Sequence, residues 1–179
     1  MIRLTELSTP LGPMIAGATD EALRLLEFAD GRRAEAQLER VAKRLGAAAE
    51  HGTTPGAVVG ESPIAEPLAD ELARYFAGEL REFTVPLHAA GTAFQETVWA
   101  ELLAIPYGAT RSYGEQARRL GRPDAVRAVA RANGDNPIAI LVPCHRVIGA
   151  DGSLTGYGGG LWRKRRLLEL ESGQGSLLD

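Results

Sequence analysis

Over the first 30 positions apolar residues come in short runs separated by turn-forming residues. Met1–Leu7, Met14–Ala18 and Ala22–Phe28 read as three strands, with Thr9-Pro10-Leu11-Gly12-Pro13 as the turn between the first two. The period then changes. From Arg32 to about Leu45 the apolar positions Leu38, Val41, Ala42 and Leu45 recur at helical spacing with charges opposite, which predicts an amphipathic helix. His51–Pro63, rich in Gly, Pro and Thr, predicts a loop. A second helix is expected from about Pro67, with Leu68, Leu72, Tyr75 and Phe76 on one stripe and Gly78 as its stop. Glu79–Gly91, interrupted by Pro86, reads as a connector between two lobes, residues 1–89 and 90–171, leaving 172–179 as a tail.

Helix punctuation is explicit in the second lobe. Thr92-Ala93-Phe94-Gln95 is a capping box, in which the hydroxyl and the Gln side chain satisfy reciprocal backbone N–H groups. Phe94, Val98 and Leu102 then follow at i, i+4 and i+8 as a core face. Ser112-Tyr113-Gly114-Glu115 is a second capping box, opening a short helix to about Leu120. Gly121 suits its stop and Pro123 the first position of the next helix, so the pair forms a helix-turn-helix unit. The unbroken apolar run Ile138–Val142 predicts a buried strand. A final helix is expected over Leu161–Glu171, with Leu161, Leu167, Leu168 and Leu170 supplying apolar contacts.

At 179 residues the chain can form one domain or two small ones. No run of about 18 apolar residues exists to span a membrane, and Met1-Ile2-Arg3-Leu4-Thr5-Glu6 lacks a secretory leader's apolar region. A cytoplasmic location is expected. The formal net charge of −3 hides a polarity: residues 1–101 hold 9 Lys/Arg against 16 Asp/Glu, residues 102–168 hold 11 against 4. A phosphate-binding face can therefore sit on the C-terminal half of an acidic molecule, the alternative being an ordinary solvated arginine-rich surface.

The one cysteine, Cys144, rules out an internal disulfide and a multi-thiolate zinc site; no metal and no cofactor are expected. It lies in Pro143-Cys144-His145-Arg146-Val147, after Asn136-Pro137 and the apolar run, and before the glycine-dense Thr155-Gly156-Tyr157-Gly158-Gly159-Gly160. A thiol delivered by buried chain, with a base beside it and a loop whose backbone can approach a ligand, has the form of a reaction site. An inert buried thiol is the alternative. The second helix of the helix-turn-helix carries small residues, Ala125, Ala128, Val129 and Ala132, with Arg127 and Arg131 one turn apart, a composition suited to a phosphate-lined groove. An alanine-rich core helix with solvated arginines is the competing explanation.

Val142-Pro143-Cys144-His145-Arg146-Val147, with Asn136-Pro137 before it and Gly156-Tyr157-Gly158-Gly159 after it, resembles the active-site signature of the O6-alkylguanine-DNA alkyltransferases. Phe94-Gln95-x-x-Val98-Trp99, Pro106-Tyr107-Gly108 and Ser112-Tyr113 fit the same family, so specific motifs cover residues 90–171. Residues 1–89 match more loosely, through Thr9–Pro13 and Leu25–Phe28. The resemblance implies a two-lobed α/β protein: an N-terminal ribonuclease-H-like lobe with a small sheet, and a C-terminal winged-helix-like lobe holding the helix-turn-helix.

It also implies an activity, the irreversible transfer of an alkyl group from O6 of guanine in double-stranded DNA to Cys144, with O4 of thymine as a second candidate substrate. The O6 atom is unreachable in a stacked duplex, so the nucleotide must be rotated out. By resemblance, Arg127 fills the vacated stack as its helix enters the minor groove, flanked by Ala128 and Arg131, and Tyr113 crowds the target phosphate. His145 withdraws the thiol proton, directly or through a water, and Glu171 orients it, Glu169 being the alternative. Asn136 braces the turn. Tyr157 hydrogen-bonds the flipped base at N3, the Gly158 N–H faces O6, and the carbonyls of Cys144 and Val147 accept from the exocyclic amine. A thioether is a poor leaving group, so each monomer acts once. Two other readings stay open: a Cys-His hydrolase acting on an acyl substrate, and a non-catalytic lesion-binding protein, against which Cys144 itself argues.

Overall fold

Three of the short apolar runs pair into the sheet that organises the N-terminal half. The structure, a computed structural model, describes residues 1–30, 32–44 and 57–173. β1 (Ile2–Leu7) is antiparallel to β2 (Met14–Ala18), which is antiparallel to β3 (Leu23–Phe28). In the first hairpin turn Thr9 Oγ1 donates to the Gly12 carbonyl. A fourth strand, β4 (Ala57–Val59), lies parallel to β1 and completes the order β3-β2-β1-β4. It falls in the segment expected to be a loop: three residues are too few to show a period, and pairing with β1 decides their state. Residues 51–56 of that expected loop, and Leu45, lie outside the described residues.

α1 (Arg32–Arg44) packs on β3. α2 (Ala65–Phe76) starts two residues earlier than expected, taking Pro67 into its first turn, where a missing N–H breaks no helical bond. It buries Leu68, Leu72, Tyr75 and Phe76. The connector after α2 is pinned by the buried Glu71, whose carboxylate accepts from the Thr84 and Val85 N–H groups. β3 is an edge strand, and two short bridges cover its free edge: Leu23 pairs with Leu87, and Leu26 with Ile138.

The C-terminal half holds α3 (Ala93–Leu103), α4 (Tyr113–Arg119), α5 (Val126–Gly134) and α6 (Leu161–Glu171). Both capping boxes form. Gly121, at φ +68°, ends the α4 turn, and Pro123 opens a 3-10 turn, so the second helix of the unit begins at Val126 rather than at Pro123. β5 (Arg111–Ser112) and β6 (Val147–Ile148) pair in parallel beside α4. On α6, Leu167 and Leu170 are buried, whereas Leu161, expected in the core, is exposed. A single apolar cluster runs from Met14, Leu26 and Phe28 through Tyr75 and Trp99 to Leu167, so the two halves share a core. Among the described residues no helix is long and apolar enough to cross a membrane.

Ile138–Val142 corrects the expected strand. Only Ile138 makes a bridge; the rest is a buried turn in which Ile140 sits at φ +71°. An apolar run reports burial and not extension, and here the Asn136 amide supplies the bonds that a neighbouring strand would have made.

A buried amide pair sets the helix-turn-helix. Gln116 on α4 and Asn133 on α5 exchange bonds of 2.7 and 3.2 Å, and Gln116 Nε2 also reaches the Val98 carbonyl on α3. Gln116→Leu strands both polar groups of Asn133 and should cost about 1–3 kcal/mol in denaturant unfolding, while Gln116→Leu/Asn133→Leu should recover most of that loss.

Candidate active site

Cys144 opens a 3-10 turn, Cys144–Arg146, directly after Pro143. The chain before it is shaped by one buried side chain. Asn136 Oδ1 accepts from the Ile138 N–H at 3.0 Å, and Nδ2, with two hydrogens, lies within reach of three acceptors: the Val142 carbonyl (2.8 Å), the Ile138 carbonyl and Cys144 Sγ (both 3.3 Å). This clamp holds Ile140 in a left-handed conformation that a β-branched residue avoids. The thiol is half-buried, and burial pushes its pKa up; the Asn136 bond opposes that shift, Glu27 adds to it, and Lys164 and Arg33 act against it.

Behind Cys144, His145 is fully buried, and its Nε2 lies 2.7 Å from Glu171 Oε1. A carboxylate only accepts, so Nε2 carries the hydrogen and Nδ1 offers its lone pair. Nδ1 is buried without a protein partner. Burial lowers the His145 pKa, and Glu171 works in the opposite direction. The lowered pKa favours the neutral imidazole, with its lone pair on Nδ1.

Glu171 rather than Glu169 makes this contact; Glu169 pairs with Arg166 on the surface. The Glu171 carboxylate also accepts from Tyr75 Oη at 2.7 Å and from Arg146 through Nε (2.8 Å) and Nη2 (2.9 Å). Burial drives its pKa upward, but His145 and Arg146 overcome that and hold it far below the usual carboxylate range.

In front of Cys144 is an open cavity of about 430 Å³, walled in part by Tyr113, Arg127, Asn136, Tyr157 and Gly158. Tyr113 is half-buried and donates to the Thr155 carbonyl at 2.8 Å. The Tyr157 hydroxyl is buried and has no protein partner; burial, with Cys144 nearby, raises its pKa well above the usual value. Arg127 reaches the rim from α5. Ala128 and Arg131 are exposed on the same helix but do not line this cavity. Val147 departs from expectation: it is fully buried behind the wall, its carbonyl accepting from Lys164 Nζ, because its pairing with Arg111 turns it into the fold. The Cys144 carbonyl is likewise engaged, by the Val147 N–H.

Several site residues were not legible in the sequence. Arg146 sits inside the motif, but nothing local marks it as a partner of Glu171. Lys164 is fully buried, donating to the carbonyls of Val147, Thr155 and Gly156, and burial lowers its pKa to about 8. The available signal was that Lys164 and Glu171 share the stripe of Leu167 on α6, placing two charges on a buried face. Glu27 and Arg33 come from the N-terminal half and line the cavity. Glu27 is buried on β3, and burial raises its pKa despite Arg33, whose Nε donates to it at 2.7 Å while Nη2 donates to the Gly134 carbonyl at 2.6 Å. The Arg33 guanidinium packs closely against Gly158, where an added Cβ would come within 2.2 Å of it. No local pattern could have brought these two residues to Cys144.

The half-buried Cys144 thiol has His145 and Glu171 behind it, an open cavity before it and the arginine-bearing α5 at the rim. Comparison with known proteins shows the family. The ribonuclease-like domain model of 6-O-methylguanine DNA methyltransferase matches residues 2–89, and the DNA binding domain model of the same family matches residues 93–173. The methylated-DNA–protein-cysteine methyltransferase of Mycobacterium tuberculosis is 69% identical over 102 residues, a stretch that covers 57% of this chain and 62% of that relative. The Mycobacterium leprae protein of the same name is 47% identical over 174 residues, covering 97% of this chain and 94% of its own length. The crystal structure of Mycobacterium tuberculosis OGT in complex with DNA superposes with a TM-score of 0.77 at 44% identity, covering 99% of each chain. With both halves matched in order and near-complete coverage by a relative of such identity, this chain belongs to the 6-O-methylguanine DNA methyltransferase family.

Proposed function

We propose that this protein repairs DNA by moving an alkyl group from O6 of guanine to Cys144, once per molecule, as a monomer on duplex DNA. The observation that carries the reading is the half-buried thiol at the base of the cavity, backed by His145 and Glu171 and faced by the unpartnered Tyr157 hydroxyl. The Cys144 proton passes to His145 Nδ1, directly or through one water, and the Glu171 carboxylate steadies the imidazolium that forms. The thiolate sulfur then bonds to the alkyl carbon as the carbon–O6 bond breaks, and the electron pair moves into the guanine ring. The guanine anion takes up a proton at N1, matching the one that left Cys144 through His145, and so becomes ordinary guanine; the Tyr157 hydroxyl donates a hydrogen bond to ring N3 and keeps its own proton. The product is a thioether, which the site has no means to cleave.

Access to O6 requires extrusion of the nucleotide. In this reading Arg127 occupies the emptied stack and Tyr113 presses on the target phosphate; the exposure of Arg127 on α5 at the cavity rim, and Tyr113 in the cavity wall, support it. The crystal structure of the Mycobacterium tuberculosis relative in complex with DNA supports DNA as the partner. A Cys-His-Glu relay also suits an acyl-transfer hydrolase, and turnover separates the two. One equivalent of duplex containing O6-methylguanine should add one methyl mass to the Cys144 peptide and then nothing more. Repeated product release would instead identify a hydrolase, and Cys144→Ala should abolish transfer while leaving DNA binding largely intact.

The relay predicts a pH signature. Burial raises the Cys144 pKa, so without a base the thiolate fraction is small at neutral pH and grows as pH rises. His145→Ala should slow single-turnover alkylation by about 10²–10⁴-fold at neutral pH, and the deficit should shrink towards high pH. Glu171→Gln should slow it too and, because Arg146 then loses its buried partner, destabilise the fold by about 3–5 kcal/mol. A deficit that stays constant with pH would remove His145 from the proton path.

Arg127 separates flipping from chemistry. For Arg127→Ala the ratio of duplex rate to free O6-benzylguanine rate should fall well below that of the parent protein, since the free base needs no extrusion. An unchanged ratio would leave Arg127 as a surface charge.

A further inference from the structure

α5 presents a second arginine to a second groove. Counting about 100° per residue, Arg127 and Arg131 lie roughly 160° and 200° around the helix from Val129, opposite the face on which Val129, Ala132 and Asn133 are buried. Both are exposed, and among the described residues neither makes an ion pair. Arg127 borders the Cys144 cavity. Arg131 instead lines a separate groove of about 290 Å³, whose other cationic walls are Arg40 and Arg44 on α1 of the N-terminal half.

The groove is built rather than incidental. Asp135, which caps α5, takes Arg40 Nη1 at 3.2 Å on one oxygen and Gln95 Nε2 at 3.1 Å on the other. Gln95 in turn accepts from Arg44 Nη2 at 3.2 Å. The buried Gln37 donates to the Asp135 and Asn136 carbonyls, fixing α1 against the end of α5. Three guanidinium groups thus face one carboxylate, leaving an excess of two positive charges continuous with the exposed ridge of α5. This charge lies partly in the half of the chain that is acidic overall, where a bare charge count would not seek it.

We propose that Arg40, Arg44 and Arg131 form a second phosphate-binding groove, which takes the DNA backbone where it leaves the α5 ridge and extends the DNA footprint onto α1. The partner is the sugar–phosphate strand flanking the lesion: guanidinium forks match phosphate oxygens, and no base-reading amide other than the engaged Gln95 and Gln37 lines the groove. The contact is independent of sequence and acts on affinity, not on the alkyl transfer. It rests on the reading above, in which α5 faces DNA.

The test is the salt dependence of binding to a short undamaged duplex. Each phosphate contact releases counterions, so the slope of log K against log salt should become shallower by about 0.9 for each arginine removed. Arg40→Gln/Arg44→Gln should flatten the slope by nearly two and weaken binding most at low salt. Arg40→Lys/Arg44→Lys, which keeps the charges, should restore it. If the Gln pair leaves the slope at its parental value while Arg127→Gln flattens it, the groove is not a DNA contact and the proposal falls alone. If Arg127→Gln and Arg131→Gln also leave the slope untouched, the α5 reading fails and the groove falls with it. A slope that the Lys pair does not restore would likewise overturn the proposal, because the change would then not follow the positive charge that releases counterions from phosphate.

Discussion

The site depends on the buried carboxylate of Glu171. It stands at the last turn of α6 and accepts from His145, Arg146 and the α2 hydroxyl of Tyr75, so one anion joins the Cys144 turn to two helices from opposite halves of the chain. An isolated buried carboxylate would be neutralised. Here the fork of Arg146, itself bonded to the Ile105 carbonyl, compensates the charge, and the remaining acceptor capacity orients the imidazole. Removing Glu171 would leave Tyr75 Oη, His145 Nε2 and the Arg146 fork without their shared acceptor, and that is why the arrangement holds together as a unit.

Asn136 does for the backbone what Glu171 does for the side chains. Its amide closes the turn from Ile138 to Val142 and ends near Cys144 Sγ, so the thiol's position follows from a chain of short bonds and not from a strand. The same turn leans on the free edge of β3 through Leu26 and Ala139. The N-terminal half is therefore part of the site's geometry: its edge strand supports the loop that carries Cys144, and Glu27 and Arg33 reach the cavity from it.

Rigid and accessible parts are divided accordingly. His145, Arg146, Lys164 and Glu171 are buried behind Cys144, where they hold charge and proton positions. Tyr113, Arg127 and the Gly156–Gly159 segment line the open cavity on the other side of the thiol. Lys164 joins the two, since its ammonium holds the carbonyls of Val147 on β6 and of Thr155 and Gly156 in the glycine-rich loop.

Much of this was readable along the chain. The first three strands, both capping boxes, the helix-turn-helix and the final helix follow from local periodicity and cap chemistry, which depend on residues within a few positions of one another. The Cys144 motif, with Asn136 and Tyr157 at fixed distances, pointed to the reaction. Local pattern could not distinguish a buried turn from a buried strand at Ile138–Val142, because both are apolar throughout. Nor could it show β4, whose state comes from pairing with β1, or that the Val147 carbonyl is taken by Lys164. The choice of Glu171 over Glu169 was made by the direction in which α6 faces His145. The approach of Arg33 to Gly158, and of Arg40 and Arg44 to Arg131, joins residues about a hundred positions apart, a relation that exists only once the two halves have packed on a common core.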